Sequence, residues 1–161
     1  MDDHRGHRLY LGALGRALTL HQPWAWAIAR LGKDIENRIW RPPPWLIGQR
    51  VAIHAGKRWD PGWSPDIVDM AIHAAMDHAY MSGDRLYHLG AGIVAVVRVV
   101  GVVTNSESPW FVGPFGWVLE DIMPVDPPIP CQGRQGLWKV VPDIQRELEK
   151  RVAALSGRES G

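Results

Sequence analysis

One run of residues constrains the fold more than any other. Ile93-Val-Ala-Val-Val-Arg98-Val-Val-Gly101-Val-Val103 is almost continuously apolar and rich in β-branched side chains. Branching at Cβ favours extended, pleated backbone. In a strand, successive side chains point to opposite faces. Because this run is apolar at odd and even positions alike, both of its faces must be covered. Gly101 inside it marks a bulge or a close backbone contact. The chain must therefore build layers on both sides of a sheet. Its 161 residues suffice for one such domain without disulfides or a structural metal.

The rest of the chain reads as shorter elements. Arg16 to His21 alternates, with Leu18 and Leu20 opposite Thr19 and His21, and predicts a strand. Pro23 suits a first helical residue; Trp24, Ala27, Ile28 and Leu31 follow at helical spacing, and Gly32 is a stop signal. Lys33 to Trp40 reads as extended, and Pro42-Pro43-Pro44 as a rigid connector. Arg50 to Ala55 predicts a second strand. Ser64-Pro65-Asp66 opens a helix whose apolar stripe is Ile67, Met70, Ala71, Ala74 and Met81, with Gly83 behind it. Phe115–Met123 and Gly136–Val141 predict two more strands. Asp143–Leu155 predicts an amphipathic helix with Ile144, Leu148, Val152 and Leu155 inward. Residues 1–15 and 157–161 read as loosely ordered tails around one domain at 16–156. Strands outnumber helices and do not alternate with them regularly, so the expected class is α+β, a small, partly open β-barrel with peripheral helices.

Several functions are excluded. One cysteine, Cys131, allows neither a disulfide framework nor a cysteine zinc site. His73 and His78 are five apart, the wrong spacing for paired helical ligands, and His4 and His7 lie in the tail, so neither metal nor cofactor is expected. Gly90-x-Gly92-x-x-Ala95 has the letters of a dinucleotide fingerprint, but a strand follows it where a helix is required. No run is apolar enough to span a membrane, and no apolar leader follows Met1-Asp2-Asp3-His4-Arg5, which points to a cytoplasmic protein, expected to be monomeric. The net charge of +1 excludes a simple polycation, but not a local basic cleft.

Three segments concentrate polar chemistry. His21-Gln22-Pro23-Trp24 runs from a strand end into a helix start, where free N–H groups attract anions. Gln22 can read a base edge and Trp24 can stack, although Trp24 also fits the helix's core stripe, with Trp26 off it. In Lys33–Trp40, strand alternation puts Lys33, Ile35, Asn37 and Ile39 on one face and Asp34, Glu36, Arg38 and Trp40 on the other. Glu36 and Arg38 either form a structural ion pair or line a pocket. His54-Ala-Gly-Lys57-Arg58 is a strand end entering a basic glycine turn, suited to a phosphate or simply solvated.

These residues carry a resemblance. Ala17-Leu-Thr-Leu-His-Gln-Pro-Trp-Ala25 with Gly32-Lys33-Asp-Ile-Glu36-Asn-Arg38-Ile-Trp40 resembles the signature of the ASCH family, in the style of its small bacterial or phage members. Ile53-His54-Ala-Gly-Lys57, Gly116-Trp-Val-Leu-Glu120 and Gly136-Leu-Trp138 resemble its later strands, so the likeness spans about residues 17–141. It implies a PUA-like pseudo-β-barrel that binds RNA or reads a modified base in a cleft beside the first helix. Some ASCH proteins are amidohydrolases of N4-acetylcytidine, using a lysine, a threonine three residues on and a distant glutamate. Lys33 matches the lysine, but the threonine position is Glu36. Others have been proposed as ribonucleases.

The leading expectation is a nucleic-acid-binding module for RNA or another single-stranded nucleic acid, RNA in preference to DNA. Its cleft would hold an unpaired or modified base between His21, Gln22, Trp24, Lys33, Glu36, Arg38, His54, Lys57, Arg58 and Trp117. The alternative is an enzyme on RNA or a modified nucleoside, with Lys33, Glu36 and Glu120 catalytic. A protein-interaction domain, using the prolines and exposed tryptophans, is the third reading. Nine Trp against two Phe is too much apolar area to leave in water, so most should be buried, with Trp24 and Trp138 in the core.

Overall fold

The computed structural model describes residues 14–60 and 92–158. The expected helix at 64–83 and the histidines His4, His7, His73 and His78 lie outside them. The described elements are β1 (Arg16–Gln22), α1 (Trp24–Arg30), β2 (Ile35–Arg38), β3 (Gln49–Trp59), β4 (Gly92–Val103), β5 (Phe115–Pro130), β6 (Leu137–Lys139) and α2 (Pro142–Arg158). The class is α+β: among the described residues there is one six-stranded sheet in the order β2-β5-β4-β3-β1-β6, with two α-helices and a short 3-10 turn at Pro44–Leu46. All neighbours are antiparallel except β1 and β3. β2 and β6 are its edges and do not pair with each other, so hydrogen bonds do not close the sheet into a barrel.

The long apolar run is β4, third from one edge, with β5 and β3 on either side. Its two faces feed two cores. One holds Leu18, Val51, Val97 and Trp117 beneath α1; the other holds Ala17, Val96, Trp138 and Leu148 beneath α2. The ladder with β5 shifts register between Val99 and Gly101, where the glycine predicts a bulge. β5 continues past Met123, the expected end, despite four prolines. Pro127 and Pro128 fall in a second irregularity, between the pairs Ala95–Pro124 and Ile93–Ile129, where the missing N–H costs no ladder bond. Gly92 begins β4 and its Cβ position lies 2.9 Å from the Ile129 carbonyl oxygen, so this glycine serves strand packing.

Leu31 caps α1, and Gly32 follows at φ +71°, the left-handed conformation that glycine adopts freely. The helix presents few polar groups anywhere: Ala25 to Ala29 are all buried. It therefore lacks the solvent face that a simple amphipathic stripe implies, and Trp26 is buried while Trp24, at the helix start, is only half-buried. The expected order of the two tryptophans is thus reversed. Trp117 and Trp138 are buried as well, and Trp45, in the proline-rich connector, is exposed. α2 runs on to Arg158, beyond the expected end.

Candidate functional site

The one parallel pair among the described strands organises the site. β1 and β3 run side by side with Thr19 opposite His54 and Leu20 opposite Ala55, and the register slips before Gln22 meets Trp59. Their C-terminal ends therefore open together, and a cleft of about 1510 Å³ lies there. β2 and the loop after β4 form another wall, and the loop between β5 and β6 reaches it with residues 132–136.

Lys33, Glu36, His21 and His54 line this one cleft, together with Trp24, Arg38, Lys57 and Arg58. Lys33 is 3% exposed. Its Nζ donates to the Ile35 carbonyl oxygen and lies 3.4 Å from Glu36 Oε2 and 6.0 Å from the Trp24 ring centroid. Burial lowers the Lys33 pKa, and the neighbouring Glu36 carboxylate offsets only part of that. Strand alternation separates Lys33 from Glu36, but the structure joins them. The strand starts only at Ile35, and the Lys33 N–H still bonds back to the Ala27 carbonyl oxygen of α1. Gly32 is the signal for that: a residue directly after a helix stop is still turning and does not obey a two-residue period.

Glu36, itself buried, sits between two cations. Arg38 Nε lies 3.3 Å from Glu36 Oε1, an ion-pair distance without hydrogen-bond alignment. The Arg38 guanidinium also reaches the Thr19 carbonyl oxygen at 3.4 Å, tying β2 to β1 across the cleft. Trp24 is fixed at the mouth because its Nε1–H donates to Asp60 Oδ2 at 2.8 Å.

His54 is 1% exposed. Its Nε2 lies 2.8 Å from the Cys131 carbonyl oxygen, which can only accept, so Nε2 carries the hydrogen. Burial lowers the His54 pKa, which favours the neutral ring. Nδ1 is then a lone-pair acceptor, buried and without a hydrogen-bond partner among the described residues. Gly133 closes over it: a Cβ there would stand 2.5 Å from His54 Nδ1 and 2.6 Å from Thr19 Oγ1. Only glycine lets the β5–β6 loop approach so closely. Thr19 Oγ1 in turn accepts from Trp138 Nε1 at 3.0 Å.

Three expected site residues are elsewhere. Gln22 is buried, and its Oε1 accepts from the Trp26 backbone N–H at 3.2 Å; it holds the start of α1 and does not line the cleft. Trp117 is fully buried and donates from Nε1 to the Trp40 carbonyl oxygen at 3.1 Å, stacking edge-on with Trp40 at 4.8 Å. Its position on central β5 puts it in the core. Glu120 is exposed, opposite Arg98 in the β4–β5 ladder and outside the cleft lining.

The walls made by loops carry no clear signal in the sequence. Thr19, Asn37, Asp60, Trp110, Phe111 and Arg134 line the cleft as well. Asn37 and Thr19 become legible as cleft-facing only once their strand partners are known. Trp110 and Arg134 lie in stretches with no periodicity. Among the described residues no group of three His, Cys, Asp or Glu side chains comes together as a metal set, and no helix is long and apolar enough to cross a membrane.

Compared with known proteins, the chain matches no family model. No curated protein matches it either.

Proposed function

We propose that this chain is a nucleic-acid-binding module of the PUA-like, ASCH type, acting on RNA in preference to DNA, whose cleft takes one unpaired or modified base. The observation that carries this reading is the convergence of Trp24, Lys33, Glu36, Arg38, His54, Lys57 and Arg58, from α1, β2, β3 and the turn after α1, on one cleft. The chemistry is graded. Trp24 supplies an aromatic face, buried Lys33 and Glu36 with half-buried Arg38 offer both donors and acceptors, and exposed Lys57 and Arg58 stand at the rim, where a phosphate backbone would run. Lys33 is too enclosed to pair with a phosphate, so the rim cations take that role. The α+β class and the place of α1 beside the cleft support this reading.

The test is the affinity for a short single-stranded RNA over a range of salt concentrations. The wild type binds, and removing Lys57 and Arg58 flattens the slope of log affinity against log salt by about 0.7 for each phosphate no longer neutralised. Equal slopes in wild type and the double alanine variant would remove the cleft rim from the binding surface.

A second reading has its own support in Lys33, a buried amine with a lowered pKa beside a carboxylate, which is the arrangement of a general base. The neutral amine would take a proton from water as its oxygen attacks an acyl carbon on the base. The C–N bond then breaks, and the leaving nitrogen takes the proton back. Of the three residues the ASCH amidohydrolases use, only Lys33 is in place: Glu36 stands for the threonine, and Glu120 is outside the cleft. Mass spectrometry of nucleosides and RNA after incubation decides it. Turnover by wild type that is lost in Lys33→Ala establishes the enzyme; unchanged substrate leaves the binding module.

A further inference from the structure

The loop between β4 and β5 presents Trp110 to the cleft, and several independent bonds and packing constraints hold that loop still. Asn37 on β2 does most of it: Nδ2 donates to the Trp110 carbonyl oxygen at 3.0 Å, and Oδ1 accepts from the backbone N–H groups of Val112 and Gly113 at 2.8 and 3.0 Å. Ser108 Oγ donates to Asp34 Oδ1 at 2.7 Å and accepts from the Trp110 N–H at 3.3 Å. Phe111 is wedged against glycine backbone: Cβ positions at Gly116 and Gly113 lie 2.8 and 3.3 Å from its ring. The residues flanking Trp110 are thus tethered on both sides, and Trp110 itself is half-buried. A large aromatic ring on a pre-ordered loop at a cleft costs little further entropy when a ligand binds.

Trp24 and Trp110 line the same cleft as Lys33 and Glu36. Lys33 is 6.0 Å from the Trp24 ring, and Trp110 is tethered to Asn37, the residue after Glu36. We infer that Trp110 is a second stacking residue of the cleft, and that the ligand portion it takes is a planar heteroaromatic ring, a single nucleobase of an unpaired strand. The inference rests on the nucleic-acid reading above and names the part of the ligand that the loop touches. Stacking on an aromatic face tolerates any base, so recognition here is by shape and not by base identity.

A thermodynamic cycle tests it. The full chain and its Trp110→Ala and Trp110→Phe variants are titrated with a hexamer of uridine, and with hexamers in which one abasic site is walked through each position. Trp110→Ala weakens the intact hexamer roughly 5- to 100-fold, as loss of one base–aromatic stack does. Trp110→Phe recovers most of that loss, and the salt slope is unchanged because no phosphate partner is removed. At one position the abasic site weakens wild type by the same factor and leaves Trp110→Ala no weaker, the non-additivity of a direct interaction. Affinity unchanged in Trp110→Ala, or losses that simply multiply at every position, would overturn the stacking role while leaving nucleic-acid binding intact. A wild-type chain that binds no hexamer would instead overturn the nucleic-acid reading, and this inference with it.

Discussion

A lysine gives up its water only against resistance, and Lys33 does so with three of its surroundings compensating: the Ile35 carbonyl, the Glu36 carboxylate and the Trp24 ring. The consequence is a pH dependence with a definite sign. Burial makes the amine harder to charge in the folded protein than in the unfolded chain, whose ordinary value is 10.5. Between the lowered folded value and 10.5 the unfolded chain holds more protons, so folding stability rises with pH across that window. Lys33→Met keeps the apolar stem and removes the titration. Urea unfolding from neutral pH upward should show a stability gain in wild type that the variant lacks; parallel curves would mean that Lys33 keeps an ordinary pKa. Single residues are legible in the sequence where a side chain's chemistry alone marks them, as with Lys33, Arg38 and His54. They mislead where the role depends on a partner. Gln22 has the donors and acceptors of a base reader but commits its acceptor to the Trp26 N–H.

At the scale of elements, the strands are readable because a two-residue or continuous apolar pattern is a local property. β1 and β4 lie close to where the sequence puts them, whereas β3 runs on through the expected glycine turn to Trp59, which makes Lys57 and Arg58 strand residues, and β5 outruns its expected end because ladder irregularities accommodate prolines that a regular strand could not. The loop after β4 is not readable at all. Its shape comes from Asn37 and Asp34, more than seventy positions earlier, and no periodicity records such a bond. Asn37→Ala removes three hydrogen bonds at once and leaves the Trp110 carbonyl and two N–H groups without that partner. The cost should be about 1–3 kcal/mol, since the loop can take up water in their place. Amide hydrogen exchange should quicken at Val112 and Gly113 while the core of β4 stays protected. Protection at those two amides equal to wild type would show that Asn37 is not what orders the loop.

At the scale of the fold, the sheet of the described residues separates two cores, with α1 sealing one and α2 the other. Leu148, fully buried at the centre of the α2 side, should cost about 2–5 kcal/mol when replaced by alanine, because the sheet beneath cannot collapse to fill the space. Denaturant melts measure this; a loss under about 1 kcal/mol would mean that α2 is only loosely seated. The same topology sets an order in time. The hydroxyl of Thr19 on β1 receives its hydrogen bond from Trp138 on β6, 119 positions later, and β6 is also the strand that pairs with β1 on its outer side. During synthesis, β1, α1, β2 and β3 emerge together, with Lys33 and Glu36 already close in the chain. The enclosure of His54 waits for Gly133 and Trp138. A growing chain therefore keeps one flank of β1 unpaired, and only half a cleft, until residues 133–139 have been made.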